Sequence, residues 1–286
     1  MSSPFALSDG SFQIRGSQTE VIPELAMQLP PDAPERTIAL ANGLFENGQT
    51  FKEFSKEMAL TAFQKGEHWR VFRYSDPAAY SQEDHTATFL RVNEFASRTT
   101  DAPVTDIGHS RGCISALGVH NEQRELVERS VHLAPPGCSP FEIASKGLII
   151  ATLAARAGKE GGMSLYSTVR NHGDLGRGLL TLTSVLYGGA KHVTRSLMGA
   201  VDEVHEIVQS EKFKYMEGIV ALDAETKATR VAICDWDALC NPVQSEINLR
   251  KSGYQGEITR FPETTHMDPL SRPKDYAPAI FQLVTR

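Results

Sequence analysis

The 286-residue sequence is poor in several features that would place a protein in a class at once. Its four cysteines form no C-x-x-C pair, and a chain of this length does not depend on disulfides, so we expect reduced thiols. Its nine histidines form no H-E-x-x-H motif and no i, i+4 pair on a helix face. The sequence therefore predicts neither a disulfide-stabilised fold nor a metal site.

Charge and apolar runs exclude further classes. The formal net charge is −6, and no stretch concentrates Lys and Arg with interleaved aromatic residues, so a nucleic-acid partner is not indicated. The longest apolar run, 147–155, is too short to span a bilayer, and residues 1–10 lack a basic patch followed by an apolar core. We expect a cytoplasmic protein that acts on a small molecule; the sequence does not indicate its oligomeric state.

What the sequence does contain is a regular alternation. Apolar runs of strand length alternate with longer segments of helical period, which is typical of parallel strands joined by crossover helices. The predicted strands are 37–41, 70–74, 104–107, 131–134, 230–234 and 257–261, with antiparallel edge strands at 11–15 and 19–22. Helices are predicted at 51–63, 81–97 and 273–285, with Ser81 as an N-cap. The predicted fold class is α/β.

One region, 141–214, interrupts this alternation. It contains helical patterns at 143–157, 175–186 and 190–208, glycine pairs at 161–162 and 188–189, and no convincing strand. Helical segments inserted between two strands of a sheet often cover a substrate, so we interpret the region as a lid. The alternative is a structural subdomain with no part in chemistry.

The segment V-T-D-I-G-H-S-R-G-C-I-S-A, 104–116, carries the clearest chemical signal. A G-x-S-x-G motif between a strand and a helix predicts a nucleophile elbow, in which Ser110 adopts a strained backbone conformation and projects its hydroxyl above the sheet. Gly108 and Gly112 are expected because side chains there would collide at so tight a turn. The helix that begins at Arg111 would direct its N–H groups towards an oxyanion.

A serine hydroxyl needs a base to remove its proton and a carboxylate to orient that base, and both follow in the chain. The strand at 230–234 is followed by Asp235 and Asp237, and the strand at 257–261 is followed by His266 in a loop. The order of the three residue types, serine, acid and histidine, is the one that this motif requires.

With these residues, the chain resembles the serine hydrolase branch, with a helical lid, of the α/β-hydrolase fold superfamily, over nearly its whole length. The resemblance implies a mostly parallel eight-stranded sheet flanked by helices, with a lid inserted after strand six. It implies a core domain of 1–136 and 217–286 and a lid subdomain of 137–216.

The resemblance also assigns roles to residues. Ser110 matches the nucleophile, His266 the base and Asp237 the orienting acid, with Asp235 as the alternative acid. The oxyanion hole would take the backbone N–H groups of Arg111 and Leu44, although Asn42-Gly43 stands where many members have His-Gly.

The implied reaction is acyl transfer from an ester or thioester of a small to medium acyl group to water, with no cofactor. An acyltransferase or a carbon–carbon bond hydrolase would use the same three residues, because fold alone does not choose among these reactions. A binding module in which the three residues are idle is a further alternative.

Overall fold

A computed structural model describes residues 5–6, 12–14, 17–20, 33–43, 50–74, 81–136, 146–172, 176, 179, 183, 212–226 and 228–286. Within these residues, nine strands form one sheet. The strands are β1 (Phe5–Ala6), β2 (Phe12–Ile14), β3 (Ser17–Glu20), β4 (Glu35–Ala41), β5 (His68–Tyr74), β6 (Val104–His109), β7 (Val127–Leu133), β8 (Thr229–Cys234) and β9 (Glu257–Phe261).

The sheet has the order β1-β2-β3-β5-β4-β6-β7-β8-β9. Neighbouring strands in the part β5-β4-β6-β7-β8-β9 are all parallel. Strands β1, β2 and β3 extend the β5 edge by antiparallel pairing. The predicted count of eight strands is wrong, because the two-residue strand β1 adds a ninth that is too short to show a period of two in sequence. The inserted region consequently follows the seventh strand along the chain, not the sixth.

Helices cover both faces of the parallel part of the sheet. They are α1 (Thr50–Gln64), α2 (Gln82–Thr100), α3 (Gly112–Glu122), α4 (Lys146–His172), α5 (Lys212–Thr226), α6 (Pro242–Lys251), α7 (Asp268–Ser271) and α8 (Pro273–Thr285). The predicted N-cap of α2 is confirmed, since the Ser81 hydroxyl accepts a hydrogen bond from the Asp84 N–H at 3.0 Å.

The core lies in two layers, one on each face of the sheet. On one face, Phe54 of α1 and Phe281 of α8 pack over the central strands. On the other face, Phe89 of α2 packs in one buried cluster and Ile219 of α5 in a second. Among the helices that the structure describes, none is long and apolar enough to cross a membrane.

The inserted region is described only in part. Its helix α4 runs as one element through the glycine pair at 161–162, where the sequence indicated a break. A glycine inside a helix costs about 1 kcal/mol relative to alanine, and hydrogen bonds from α4 to the rest of the protein on both sides of the pair offset that cost. The predicted helix 190–208 lies outside the described residues. Helix α5 crosses the predicted boundary at 216, with Tyr215 buried beside Ile219.

Candidate active site

The turn after β6 holds Ser110 in an unusual backbone conformation. Ser110 has φ 52°, in the left-handed region that residues other than glycine seldom occupy. Its N–H donates to the carbonyl oxygen of Leu133 at 2.9 Å, and its own carbonyl accepts from the Cys113 N–H at 2.9 Å. These bonds tie the turn to β7 on one side and to helix α3 on the other, and so hold the strained conformation.

The two glycines of the motif are required by close backbone approach. A Cβ atom at Gly108 would lie 2.7 Å from the backbone N and Cα of Cys113, within the same turn. A Cβ atom at Gly112 would collide with the carbonyl group of Ala41 at the end of β4. The first glycine therefore lets the turn close, and the second lets helix α3 begin directly against the neighbouring strand.

Asp237 lies in the loop that follows β8, and its carboxylate is fully engaged. Oδ1 accepts the N–H groups of Leu239 at 2.8 Å and Cys240 at 2.6 Å, while Oδ2 lies 2.7 Å from Nδ1 of His266. The loop curls round this side chain, because two of its own N–H groups bind one carboxylate oxygen. The other oxygen is left directed at the imidazole.

The alternative acid has a different environment. Asp235 Oδ1 pairs with the guanidinium of Arg260 at 2.7 Å, and Arg260 also contacts Glu246. These side chains are partly exposed, so the pair belongs to the surface beside β9. The structure brings Asp237, and not Asp235, to His266.

His266 is buried, with only 2% of its side chain exposed. Burial alone would lower the pKa of His266, but the adjacent Asp237 carboxylate raises it, and the resulting pKa lies well above the ordinary value. Since Asp237 Oδ2 is an acceptor, Nδ1 of His266 carries the hydrogen of this contact. That assignment leaves Nε2 as the basic nitrogen of the neutral ring.

His109 joins the serine turn to the histidine loop. Its Nε2 donates to the carbonyl oxygen of His266 at 2.9 Å, and the two rings have centroids 4.8 Å apart. Because His109 immediately precedes Ser110, these contacts bring the end of β6 against the loop that follows β9. The three residues expected from sequence thus come from loops at one edge of the sheet.

The two residues expected to form the oxyanion hole are Arg111 and Leu44, and the structure describes only the first of them. The side chain of Arg111 is buried and binds the start of α2, with Nε donating to Gln82 Oε1 at 3.1 Å and Nη2 to the Ser81 carbonyl at 2.9 Å. These bonds fix the backbone directly after Ser110. Leu44 lies outside the described residues, whereas Asn42 and Gly43 before it are buried at the end of β4.

Asp237, Cys240 and His266 bring three potential metal ligands together, since their ligand atoms all lie within 4.8 Å of one another. The donor set is unsuited to a metal, since Asp237 already accepts three hydrogen bonds. Burial, followed by the Asp237 charge, raises the pKa of the Cys240 thiol, so the thiolate that a metal would need is disfavoured. The arrangement favours an oriented histidine over a bound ion.

Sequence reasoning missed one residue of this edge, Glu160 of helix α4. Its carboxylate accepts hydrogen bonds from the backbone N–H groups of Ala238 and Met267, the residues that follow Asp237 and His266. Ala238 lies 78 residues after Glu160 in the chain, and Met267 lies 107 residues after it. A lone glutamate in a helical segment carries no motif, so no signal in a single sequence could have identified it.

Comparison with solved structures supports the fold. The chain is similar to a thermophilic esterase from Thermogutta terrifontis, with a TM-score of 0.62, 13% identity and coverage of 98% of this chain and 96% of that one. It is similar to an enol-lactonase from Burkholderia xenovorans, with a TM-score of 0.58, 15% identity and coverage of 99% and 100%. A bromoperoxidase from Bacillus anthracis gives a TM-score of 0.61, 11% identity and coverage of 98% and 97%.

No family model matches the sequence, and no curated protein matches it. The structural similarities, together with the mostly parallel sheet flanked by helices, show that the chain has the α/β-hydrolase fold. The predicted fold class is confirmed. The lid and the division into domains stay predictions.

Proposed function

We propose that this protein is a serine hydrolase that cleaves esters or thioesters of small to medium acyl groups. Ser110 is the nucleophile, His266 the base and Asp237 the acid that orients it. The observation that carries the proposal is the buried 2.7 Å contact between His266 Nδ1 and Asp237 Oδ2, beside a serine turn with φ 52°. A strained backbone conformation costs stability, and acyl transfer is a reaction that uses a serine held in this way beside a buried acid–histidine pair.

The reaction begins with His266 Nε2 taking the proton of the Ser110 hydroxyl while Oγ attacks the acyl carbon. Asp237 keeps the ring in the required tautomer and stabilises the imidazolium. The tetrahedral intermediate then collapses, the bond to the alcohol or thiol breaks, and the leaving group takes its proton from His266. A water molecule then gives a proton to His266 and attacks the acyl carbon of the acyl-serine, which forms a second tetrahedral intermediate. As this intermediate collapses, the bond to Ser110 Oγ breaks, His266 gives its proton to Oγ, and the acid and the free serine are released.

The oxyanion of both intermediates would be held by backbone N–H groups of Leu44 and Arg111. Two features support the second donor. Arg111 comes immediately before helix α3, whose N-terminal N–H groups favour negative charge. The buried side chain of Arg111 is bound to α2, which limits movement of the backbone during the reaction.

A fluorophosphonate probe tests the proposal, because it reacts covalently only with an activated serine. We expect the wild type to be labelled, Ser110→Ala to be unlabelled and His266→Ala to be labelled far more slowly. Ser115→Ala is the control, since the buried Ser115 hydroxyl contacts a histidine, His85, and its loss should leave labelling unchanged. A folded wild type that stays unlabelled would contradict the proposal and favour a ligand-binding role.

The substrate class is tested by p-nitrophenyl esters and acyl thioesters of graded chain length. We expect turnover to require Ser110 and to favour acyl groups of short to medium length. Adding an alcohol or amine acceptor separates hydrolysis from acyl transfer: product diverted from the free acid to the new ester or amide would assign an acyltransferase instead.

A further inference from the structure

Helix α4 presents a row of polar side chains to the loops that follow β8 and β9. Arg156 Nη1 donates to the Leu239 carbonyl at 3.1 Å, and Ser164 Oγ donates to Asp268 Oδ1 at 3.0 Å. Glu160 lies between them on the same helix face, because positions four apart in a helix are neighbours. This polar row is the face by which α4 contacts the candidate active site.

Glu160 is the member of the row that touches both loops. Its Oε2 accepts the Ala238 N–H at 3.1 Å and its Oε1 accepts the Met267 N–H at 3.0 Å. Only 3% of the residue is exposed, although it is an acid. Ala238 directly follows Asp237 and Met267 directly follows His266, so one carboxylate is bound beside both members of the acid–histidine pair.

The chemistry of this bridge requires a carboxylate of this length. A carboxylate fits this bridge because each of its two oxygens accepts one N–H group, whereas an amide side chain offers only one acceptor oxygen. The pKa of Glu160 is raised above its ordinary value, by burial first and also by the Asp237 charge, against the lowering effects of His266 and of the two backbone hydrogen bonds. An aspartate would be one methylene shorter and would not reach both loops.

We propose that Glu160 is a positioning residue for the Asp237–His266 pair, with its two oxygens tying together the loops that carry the acid and the base. The inference rests on the proposed hydrolase function, because it gives a role to a pair whose own role is proposed. In this role, helix α4 of the inserted region helps to hold the Asp237–His266 pair in place. Displacing α4 would release both loops at once.

The electrostatic surroundings of Glu160 come from the same two loops and from β8. Asp237 and His266 act on its charge, as do the thiols of Cys234 and Cys240. Burial is the main cause that raises the pKa of both thiols, so they remain neutral. His266 is therefore the group that a change of charge at Glu160 affects most directly.

The first test compares Glu160→Gln with Lys159→Gln, which removes a charge from the neighbouring, exposed position of the same helix. We expect Glu160→Gln to lower kcat roughly 10- to 100-fold, the scale of a displacement of about 1 Å, with KM changed far less. We also expect the acid limb of its pH–rate profile to move to lower pH, because His266 loses a nearby negative charge. Lys159→Gln should keep both the kcat and the profile of the wild type.

The second test uses the wild type and does not depend on how a variant folds. In an NMR titration the amide protons of Ala238 and Met267 should shift together, with one shared midpoint, as the carboxylate between them takes up a proton. Separate midpoints, or a Glu160→Gln enzyme with wild-type kcat and pH profile, would overturn the inference. If the fluorophosphonate probe fails on the wild type, the hydrolase proposal falls, while a shared midpoint that is lost in Glu160→Gln would still establish the bridge.

Discussion

Two buried histidines of this protein make similar short contacts and have opposite electrostatic settings. His266 Nδ1 lies 2.7 Å from the Asp237 carboxylate, and His85 Nδ1 lies 2.7 Å from the Ser115 hydroxyl. The pKa of His266 is well above its ordinary value because Asp237 overcomes the effect of burial. The pKa of His85 is well below it, because of burial first and the nearby Arg111 guanidinium second.

The comparison shows that a serine beside a histidine does not by itself make a base. Near His85, the Ser115 hydroxyl contacts Nδ1, the Gln82 amide donates to that hydroxyl, and the Arg111 guanidinium donates to Gln82. Burial first, and the Arg111 charge second, lower the pKa of His85 and so disfavour the protonated imidazole. A carboxylate behind the ring is the feature that allows a histidine to accept and keep a proton during catalysis.

The largest expected effect comes from replacing the two histidines in turn. His266→Ala should lower kcat by about 10,000- to 1,000,000-fold, the scale on which loss of the base is felt in serine hydrolysis. His85→Gln should lower it by less than about tenfold, because burial and the Arg111 charge lower the pKa of His85 and so disfavour its protonated form. Steady-state kinetics with a p-nitrophenyl ester measure both. Equal losses of kcat in the two variants would contradict the proposal that His266, and not His85, is the base.

The two acids after β8 give the next largest effect. Asp237→Asn should lower kcat by about 10,000-fold, because the ring loses its orienting acceptor. The wild-type rate should rise with pH through the raised pKa of His266, since the base acts in its neutral form. In Asp237→Asn the residual activity should rise at lower pH, because the carboxylate no longer raises the pKa.

Asp235→Asn is the matched control for that change, since it removes the same charge two residues away. It breaks a partly exposed ion pair with Arg260, and such pairs contribute about 0–1 kcal/mol. Its kcat and pH profile should be those of the wild type. A pH–rate profile altered by Asp235→Asn and not by Asp237→Asn would reverse the assignment of the acid.

The serine turn was predictable because its signals are local. Strand, glycine, serine, glycine and helix follow one another within thirteen residues, and each constrains its neighbour through the backbone. The choice between Asp235 and Asp237 stayed open because it depends on how the loop folds. That loop is fixed by hydrogen bonds across to the chain that follows β9, from Asp235 N–H to Phe261 and from Trp236 N–H to Thr264.

The role of Glu160 could not be predicted from the sequence, for a similar reason. Its two partners are backbone N–H groups far along the chain, and backbone groups carry no residue-specific pattern. The predicted helix was also shorter than α4, because a glycine pair such as 161–162 usually indicates the end of a helix. Contacts between α4 and distant loops override that local preference, and a single sequence does not display them.

The two histidines should also contribute to stability with opposite pH dependence. His85 has a lowered pKa, so the unfolded chain binds a proton that the folded protein does not. Stability should fall by about 1.4 kcal/mol for each pH unit below about pH 6.5. His85→Gln should remove that slope in urea unfolding curves.

His266 supplies the opposite sign and therefore the check. With a raised pKa, its contribution is fully present below its unfolded pKa and is lost as the pH rises through the folded value. His266→Gln should thus lose stability mainly at neutral and acidic pH. If both variants show the same change of slope, the contrast between their surroundings is wrong.

A buried acid on strand β6 extends the comparison to carboxyl groups and has the smallest expected effect. Asp106 is fully buried, and among the described residues neither of its oxygens has a partner in hydrogen-bonding geometry. Burial raises the pKa of Asp106 well above its ordinary value, although the adjacent Asn93 side chain lowers it. Unlike Asp237, this acid has no histidine to share its charge, so the folded protein favours its protonated form.

The sign of its effect on stability follows from that preference. A raised carboxyl pKa means that stability falls as the pH rises from the ordinary value of an aspartic acid, about 3.9, towards the folded pKa. Asp106→Asn has the same shape without the ionisation, so it should be more stable than the wild type by about 1 kcal/mol at neutral pH and equal to it near pH 4. Urea unfolding at both pH values measures the difference. A variant less stable at neutral pH would mean that the Asp106 carboxylate is held by its surroundings as Asp237 is.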